Sequence, residues 1–212
     1  ICEVKRLLPR QHFEYLLHYT GYERKIIHLY SRMPNARRII FVHDDMAQEY
    51  KLKGNFHMPS IRKAYGSFDK IAPVREGLTQ SLRQAFPEIA GERLHVVHNV
   101  NDIAGIREKA LNPLAFDADT QSTVELEALD AVLRDGRNLI FTNIARFSPE
   151  KGLDRLIRAF VSFMPDHPNA YLVIIGGYGS EFAKIRDMAL EMGGGRIFVI
   201  RSMSNPYPIL AQ

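Results

Sequence analysis

The sequence predicts a parallel α/β protein. Three observations carry that expectation. Short apolar runs rich in β-branched residues recur along the 212 residues, amphipathic stretches separate them, and a chain that is 46% hydrophobic and 25% charged can bury a sizeable core. Near-continuous apolar runs, unlike strict alternation, suit strands covered by helices on both faces. At about 150 residues per domain the length allows one large domain or two small ones. The composition excludes disorder and collagen-like repeats.

The elements follow in order. Tyr22–Met33 has a weak helical period, and Arg38–His43 (RIIFVH) reads as a buried strand. Lys70–Val74 reads as the next strand, Glu76–Phe86 as a helix and Leu94–His98 as a third strand. Asp102 is placed to cap a helix over Asp102–Leu111. Asn112–Ser122 (NPLAFDADTQS) has no apolar period and reads as a loop, followed by a helix over Val124–Arg134 and a strand over Asn138–Thr142. The clearest helix comes after Ser148: Leu153, Leu156, Ile157, Phe160, Val161 and Met164 form one apolar stripe. Ser148 is placed to cap it, Pro149 fits its first turn, Glu150 suits its positive end, and Pro165 and Pro168 stop it. A strand over Ala170–Ile175, a helix over Ser180–Met192, a break at Gly193, Gly194 and Gly195, and a strand over Arg196–Ile200 complete the pattern. No internal repeat or low-complexity tract interrupts it.

Net charge is +4, unevenly spread: +6 over residues 1–111, −5 over 112–136 and +3 over 137–212. The reversal at the loop-like segment marks the expected domain boundary. It divides the chain into 1–111, an acidic linker and helix over 112–136, and 137–212. The basic blocks suit phosphate-bearing partners, or are simply a solvated surface. Nucleic-acid binding lacks a recognisable module. A single cysteine, Cys2, excludes an internal disulfide framework and a cysteine-rich zinc site. No apolar stretch approaches the roughly 20 residues of a membrane helix, and no signal-peptide pattern is present. A cytoplasmic setting is therefore expected, with peripheral contact at the inner face of an anionic membrane. Each block offers about three strands where a complete doubly wound sheet has five or six. With Ile1 in place of Met, this leads us to expect a fragment of a longer protein.

Four segments carry the candidate chemistry. In open α/β sheets ligands bind beyond the carboxyl ends of strands, where Ile144–Gly152 (IARFSPEKG) falls. Arg146 at the strand end and Lys151 in the first helical turn form a pair of cations suited to a diphosphate. The alternative is a pair of surface residues, Arg146 bonded to a neighbouring carboxylate. Gly176, Gly177 and Gly179 follow a strand in a G-G-x-G turn. Such glycines either let backbone approach a ligand or make a tight turn. His43, after the RIIFVH strand and beside Asp44 and Asp45, could bind a substrate hydroxyl or move a proton, or be an ordinary loop histidine. A metal site there would need more ligands. Asn99 reads as a turn residue. No serine-hydrolase triad, P-loop or kinase signature is present.

In this order the segments resemble the retaining "group 1" glycosyltransferases of GT-B fold. The run FTNIARFSPEKGLDRLIRAFVSFMPDHPNAYLVIIGGYGSE is similar to that family's nucleotide-sugar domain. YGSFDKIAPVREGLTQSLRQAFPE with LHVVHNVND resembles the end of its N-terminal domain, and FVHDDM its strand–histidine segment. The resemblance implies two Rossmann-like domains, both incomplete here: the end of an acceptor-side domain and the start of a donor-side one. It implies transfer of a hexosyl-type sugar from a nucleotide-diphosphate donor to a hydroxyl acceptor with retention, in cell-envelope or polysaccharide biosynthesis. Carbohydrate, lipid-linked and polymeric acceptors all fit. Arg146 and Lys151 would hold the diphosphate and stabilise its charge as it leaves, so no metal is obligatory and no cofactor is needed. Gly176, Gly177 and Gly179 would line the nucleotide side, Arg201 and Ser204 would lie near the base, and His43 would face the transferred sugar. Ala145 stands where the family usually has glycine, and Arg75 where it has serine. The family's glycine-rich first loop and later glutamate pair are not in the chain. A non-catalytic nucleotide-binding or assembly module of the same fold is the alternative expectation.

Overall fold

The computed structural model describes residues 12–33, 35–53 and 57–211. Cys2 and the opening of the chain lie outside the described residues. Two compact units divide between Asn101 and Asp102.

The first unit holds a parallel sheet in the order β1 (Tyr15–His18), β2 (Arg37–Val42), β3 (Lys70–Pro73). Around it lie α1 (Arg24–Tyr30), α2 (Met46–Lys53), α3 (Met58–Ser67) and α4 (Glu76–Ala85). Ile40 and Ile71 pair across β2 and β3 and pack with Ile61, Tyr65, Phe68, Leu82 and Phe86. The elements expected from the sequence do not include β1, α2 or α3. β1 alternates exposed and buried residues over only four positions, too few to stand out. The strand predicted over Leu94–His98 is instead an extended stretch with one bridge, Ile71 to Leu94. His95 and Val97 donate their N–H groups to Ile71 and Pro73 (both 3.0 Å). The stretch is mostly exposed, with His95, Val97 and His98 turned to solvent, so little burial supports a full ladder.

The second unit holds β4 (Gln121–Ser122), β7 (Ile197–Arg201), β6 (Ala170–Gly176) and β5 (Leu139–Ile144), in that spatial order. The last three are parallel, while β4 runs antiparallel to β7. Helices α7 (Leu153–Phe163) and α8 (Phe182–Met192) bury Ile157, Phe160 and Ile185 on one face, against Leu172, Ile174 and Val199. On the other face, α6 (Leu126–Arg134) and α9 (Tyr207–Leu210) bring Leu129, Leu133 and Ile209 onto Val173, Ile175 and Ile200. This double coverage is why β6 is buried along almost its whole length.

Helix α5 (Ile103–Ala110) belongs to the second unit and packs on α9, where the Asn205 amide donates to the Lys109 carbonyl (2.9 Å). Asp102 caps α5 through the Gly105 N–H (2.9 Å), as its sequence position suggests. The acidic segment expected to link the two halves lies wholly within the second unit. It is bound there by the β4–β7 pairing and by Thr120, whose hydroxyl donates to the Ser202 carbonyl (2.7 Å).

Candidate functional site

The site grows from the carboxyl ends of β5 and β6. Phe147 is its anchor: the ring is fully buried and meets Phe182 edge-on, with centroids 5.1 Å apart. Burying that ring pins the backbone on either side of it. The Phe147 N–H donates to the Tyr178 carbonyl (2.8 Å), and its own carbonyl accepts from the Glu181 N–H (2.9 Å). Two residues earlier in the loop, Ala145 N–H donates to the Ile175 carbonyl (2.9 Å). These bonds zip the arginine-bearing loop to the glycine turn, so both move as one backbone.

Two of the three glycines are required by that closeness. A Cβ at Gly176 would run into the Ala145 carbonyl oxygen and the Phe147 ring. Gly179 has φ +139, which side chains rarely adopt, and a Cβ there would strike the Phe147 carbonyl. Gly177 faces open space. The turn therefore has both characters left open by the sequence: a tight turn at Gly176 and Gly179, and bare accessible backbone at Gly177.

Arg146 is half exposed and donates to the Glu150 carboxylate (3.1 Å), while its guanidinium lies 6.0 Å from the centroid of the Tyr178 ring. Ser148 Oγ donates to the same carboxylate oxygen (2.7 Å). Glu150 is held below the ordinary carboxylate value, first by the Ser148 hydroxyl and its own backbone N–H, then by the charges of Arg146 and Lys151. The predicted helix start needs correction here. Pro149–Lys151 is a separate 3-10 turn, and α7 begins only at Leu153, because Gly152 takes a left-handed conformation (φ +61) that breaks the helical path. Lys151 thus projects from the turn before the helix, and Ser148 bonds Glu150 instead of capping α7.

Arg201 and Ser204 leave the carboxyl end of β7. The Arg201 guanidinium sits 5.0 Å from the Phe182 ring centroid. Ser204 gives both its N–H (2.6 Å) and its hydroxyl (2.9 Å) to Asp117. Between them Ser202 adopts φ +61, uncommon for a residue with a side chain, and donates its N–H to the Gly176 carbonyl (3.0 Å). Phe147, Tyr178 and Asp117 escaped the sequence reading. Phe147, an aromatic directly after the strand-end arginine, carried a signal that could have been used, whereas Asp117 lies far from Ser204 in sequence and carried none.

His43 belongs to the first unit, at the carboxyl end of β2. Its Nε2–H donates to the Tyr19 carbonyl (2.8 Å), leaving Nδ1 as the acceptor nitrogen. The Tyr19 ring meets it edge-on at 4.7 Å and donates its hydroxyl to Asn99 Oδ1 (3.3 Å). Nearby His18 is almost fully buried, and burial lowers its pKa. Among the described residues no group of three His, Cys, Asp or Glu side chains could hold a metal ion, and no helix is long and apolar enough to cross a membrane.

Comparisons with known proteins bear on the fold and the family. Residues 126–210 match the family described as "Glycosyl transferases group 1". No curated protein sequence matches the chain. Among solved structures, a UDP-forming α,α-trehalose-phosphate synthase from Burkholderia xenovorans is similar, with TM-score 0.68 and 15% identity, over 98% of this chain and 52% of that one. The E. coli trehalose-6-phosphate structure bound with UDP-2-fluoro glucose gives TM-score 0.66 and 14% identity, over 98% and 52%. An S. aureus TarM variant in complex with fondaparinux, alpha-GlcNAc-glycerol and UDP gives TM-score 0.53 and 18% identity, over 79% and 29%. The chain thus spans about half the length of the first two and under a third of the last. The likeness is one of fold: the parallel sheets of both units are Rossmann-like.

Proposed function

We propose, from the match of residues 126–210 to the family described as "Glycosyl transferases group 1", that the chain is the central part of a glycosyltransferase. It moves a hexosyl-type sugar from a nucleotide-diphosphate donor to a hydroxyl acceptor with retention of configuration. The observation that carries the proposal is the pair of cations, Arg146 and Lys151, on a loop zipped to the Gly176–Gly179 turn at the carboxyl ends of β5 and β6. Positive charge fixed where a leaving diphosphate gains negative charge lowers the barrier without a metal ion. Bare backbone at Gly177 lets phosphate oxygens come close. Arg201 borders the nucleotide end. Ser204 presents the base end through the backbone that Asp117 holds, since its hydroxyl is already engaged. His43, with Nε2–H tied to Tyr19, offers Nδ1 to a sugar hydroxyl.

The proposed setting is the cytoplasmic side of the envelope, with peripheral membrane contact and an acceptor that is a carbohydrate, a lipid-linked sugar or a polymer. UDP is the first donor nucleotide to try, because two of the similar structures contain it or a UDP-sugar.

Isothermal titration of the full-length protein with UDP, GDP and ADP tests the assignment. Binding of at least one is expected, weakened roughly 10- to 100-fold in Arg146→Ala and in Lys151→Ala, the range for a lost charge-assisted hydrogen bond. Binding to none of them, or binding indifferent to both substitutions, overturns it. NMR of the anomeric centre in the product then reads retention directly.

A further inference from the structure

Tyr178 is the most exposed aromatic side chain among the described residues of the second unit, at 63% of its full surface. A large apolar ring left in water inside an otherwise tightly zipped turn calls for a reason. Its backbone is not free to move: its carbonyl accepts from Phe147, and Gly179 beside it is pressed against the Phe147 carbonyl. The backbone that carries the ring is therefore held at a set place relative to the residue next to Arg146. The Arg146 guanidinium lies 6.0 Å from its centroid.

Among the described residues the Arg146 guanidinium has one other partner, the Glu150 carboxylate at 3.1 Å. The two contacts differ chemically. A carboxylate cancels the charge of the guanidinium and occupies its N–H donors, so it competes with any incoming phosphate. A ring face attracts the cation through its quadrupole and leaves the in-plane N–H groups free. We propose that Tyr178 is a positioning residue for Arg146: beside the Glu150 pair, its ring gives the guanidinium a second contact that keeps it in place for the donor diphosphate. This rests on the reading of Arg146 as a diphosphate ligand.

The test is isothermal titration of the full-length protein with inorganic pyrophosphate and with UDP. Four variants join wild type: Tyr178→Phe, Tyr178→Ala, Arg146→Ala and the Tyr178→Ala/Arg146→Ala double variant. Tyr178→Phe keeps the ring and is expected to bind like wild type. Tyr178→Ala is expected to raise Kd for both probes by about two- to fivefold, the range for an exposed cation–π contact. In the Arg146→Ala background the Tyr178→Ala change should add nothing, since its effect passes through the arginine. Thermal unfolding of the variants reports whether the fold is intact. An unchanged Kd in Tyr178→Ala, or the same loss with and without Arg146, overturns the proposal while leaving the diphosphate site standing. Wild-type protein that binds neither pyrophosphate nor any nucleoside diphosphate overturns both.

Discussion

Gly177 and Gly179 sit two residues apart in one turn, yet a methyl group would meet open space at the first and a backbone carbonyl at the second. Gly179→Ala should therefore lose about 1–3 kcal/mol of stability through backbone strain alone, with the clash adding to it. Gly177→Ala should unfold in urea as wild type does. Equal urea midpoints for the two variants would contradict the closeness of the turn to Phe147. At Glu150 the order of causes makes a second prediction. Its carboxyl is depressed more by the Ser148 hydroxyl than by the Arg146 charge, so Ser148→Ala should raise its pKa further than Arg146→Ala does. Carbon-13 NMR titration of the side-chain carboxyl reads this, and the reverse order would refute it. The sign for stability follows from the depressed value. The Glu150 contacts contribute above its ordinary carboxylate pKa and are lost as pH falls through the lower, folded-state value.

Helix α7 shows how far periodicity reaches. Its apolar stripe named the buried residues correctly, and Leu153, Ile157 and Phe160 all lie in the core. Ile157→Ala should cost about 2–5 kcal/mol, read as a lowered urea midpoint, because the side chain is fully buried beneath the sheet. A loss under 1 kcal/mol would mean that the site collapses to fill the cavity. The start of the helix was less legible than its face. Ser148, Pro149 and Glu150 are a proper helix-opening set, but Gly152 turns left-handed after them and shifts the opening to Leu153. Strands carried by apolar runs were read well: β2, β3, β5, β6 and β7 each lie within two residues of the predicted bounds. β1 and the stretch after Leu94 were not, since each is only partly covered and its pattern is set by what packs on it.

At the scale of the molecule, the charge reversal does not coincide with the division into compact units. The units divide at Asn101, ahead of the acidic segment, and α5 packs on α9. The +6 of residues 1–111 predicts attraction to anionic surfaces. Full-length protein should co-sediment with phosphatidylglycerol vesicles at low salt and release as ionic strength rises past about 0.1 M, where screening acts within roughly 10 Å. Binding indifferent to salt would show that charge is not the cause. The amino-acid sequence by itself determined the fold class, the strands carried by apolar runs and the order of the motif residues Arg146, Lys151 and Gly176–Gly179. Those are written in local composition and periodicity and in the few residue types that tight turns accept. Only the tertiary structure decided that Phe147 zips two loops together, that Tyr178 faces Arg146, that Asp117 holds Ser204 and that Tyr19 orients His43. Each of those contacts joins separate parts of the chain through hydrogen bonds or ring faces, and neither has any period along a sequence.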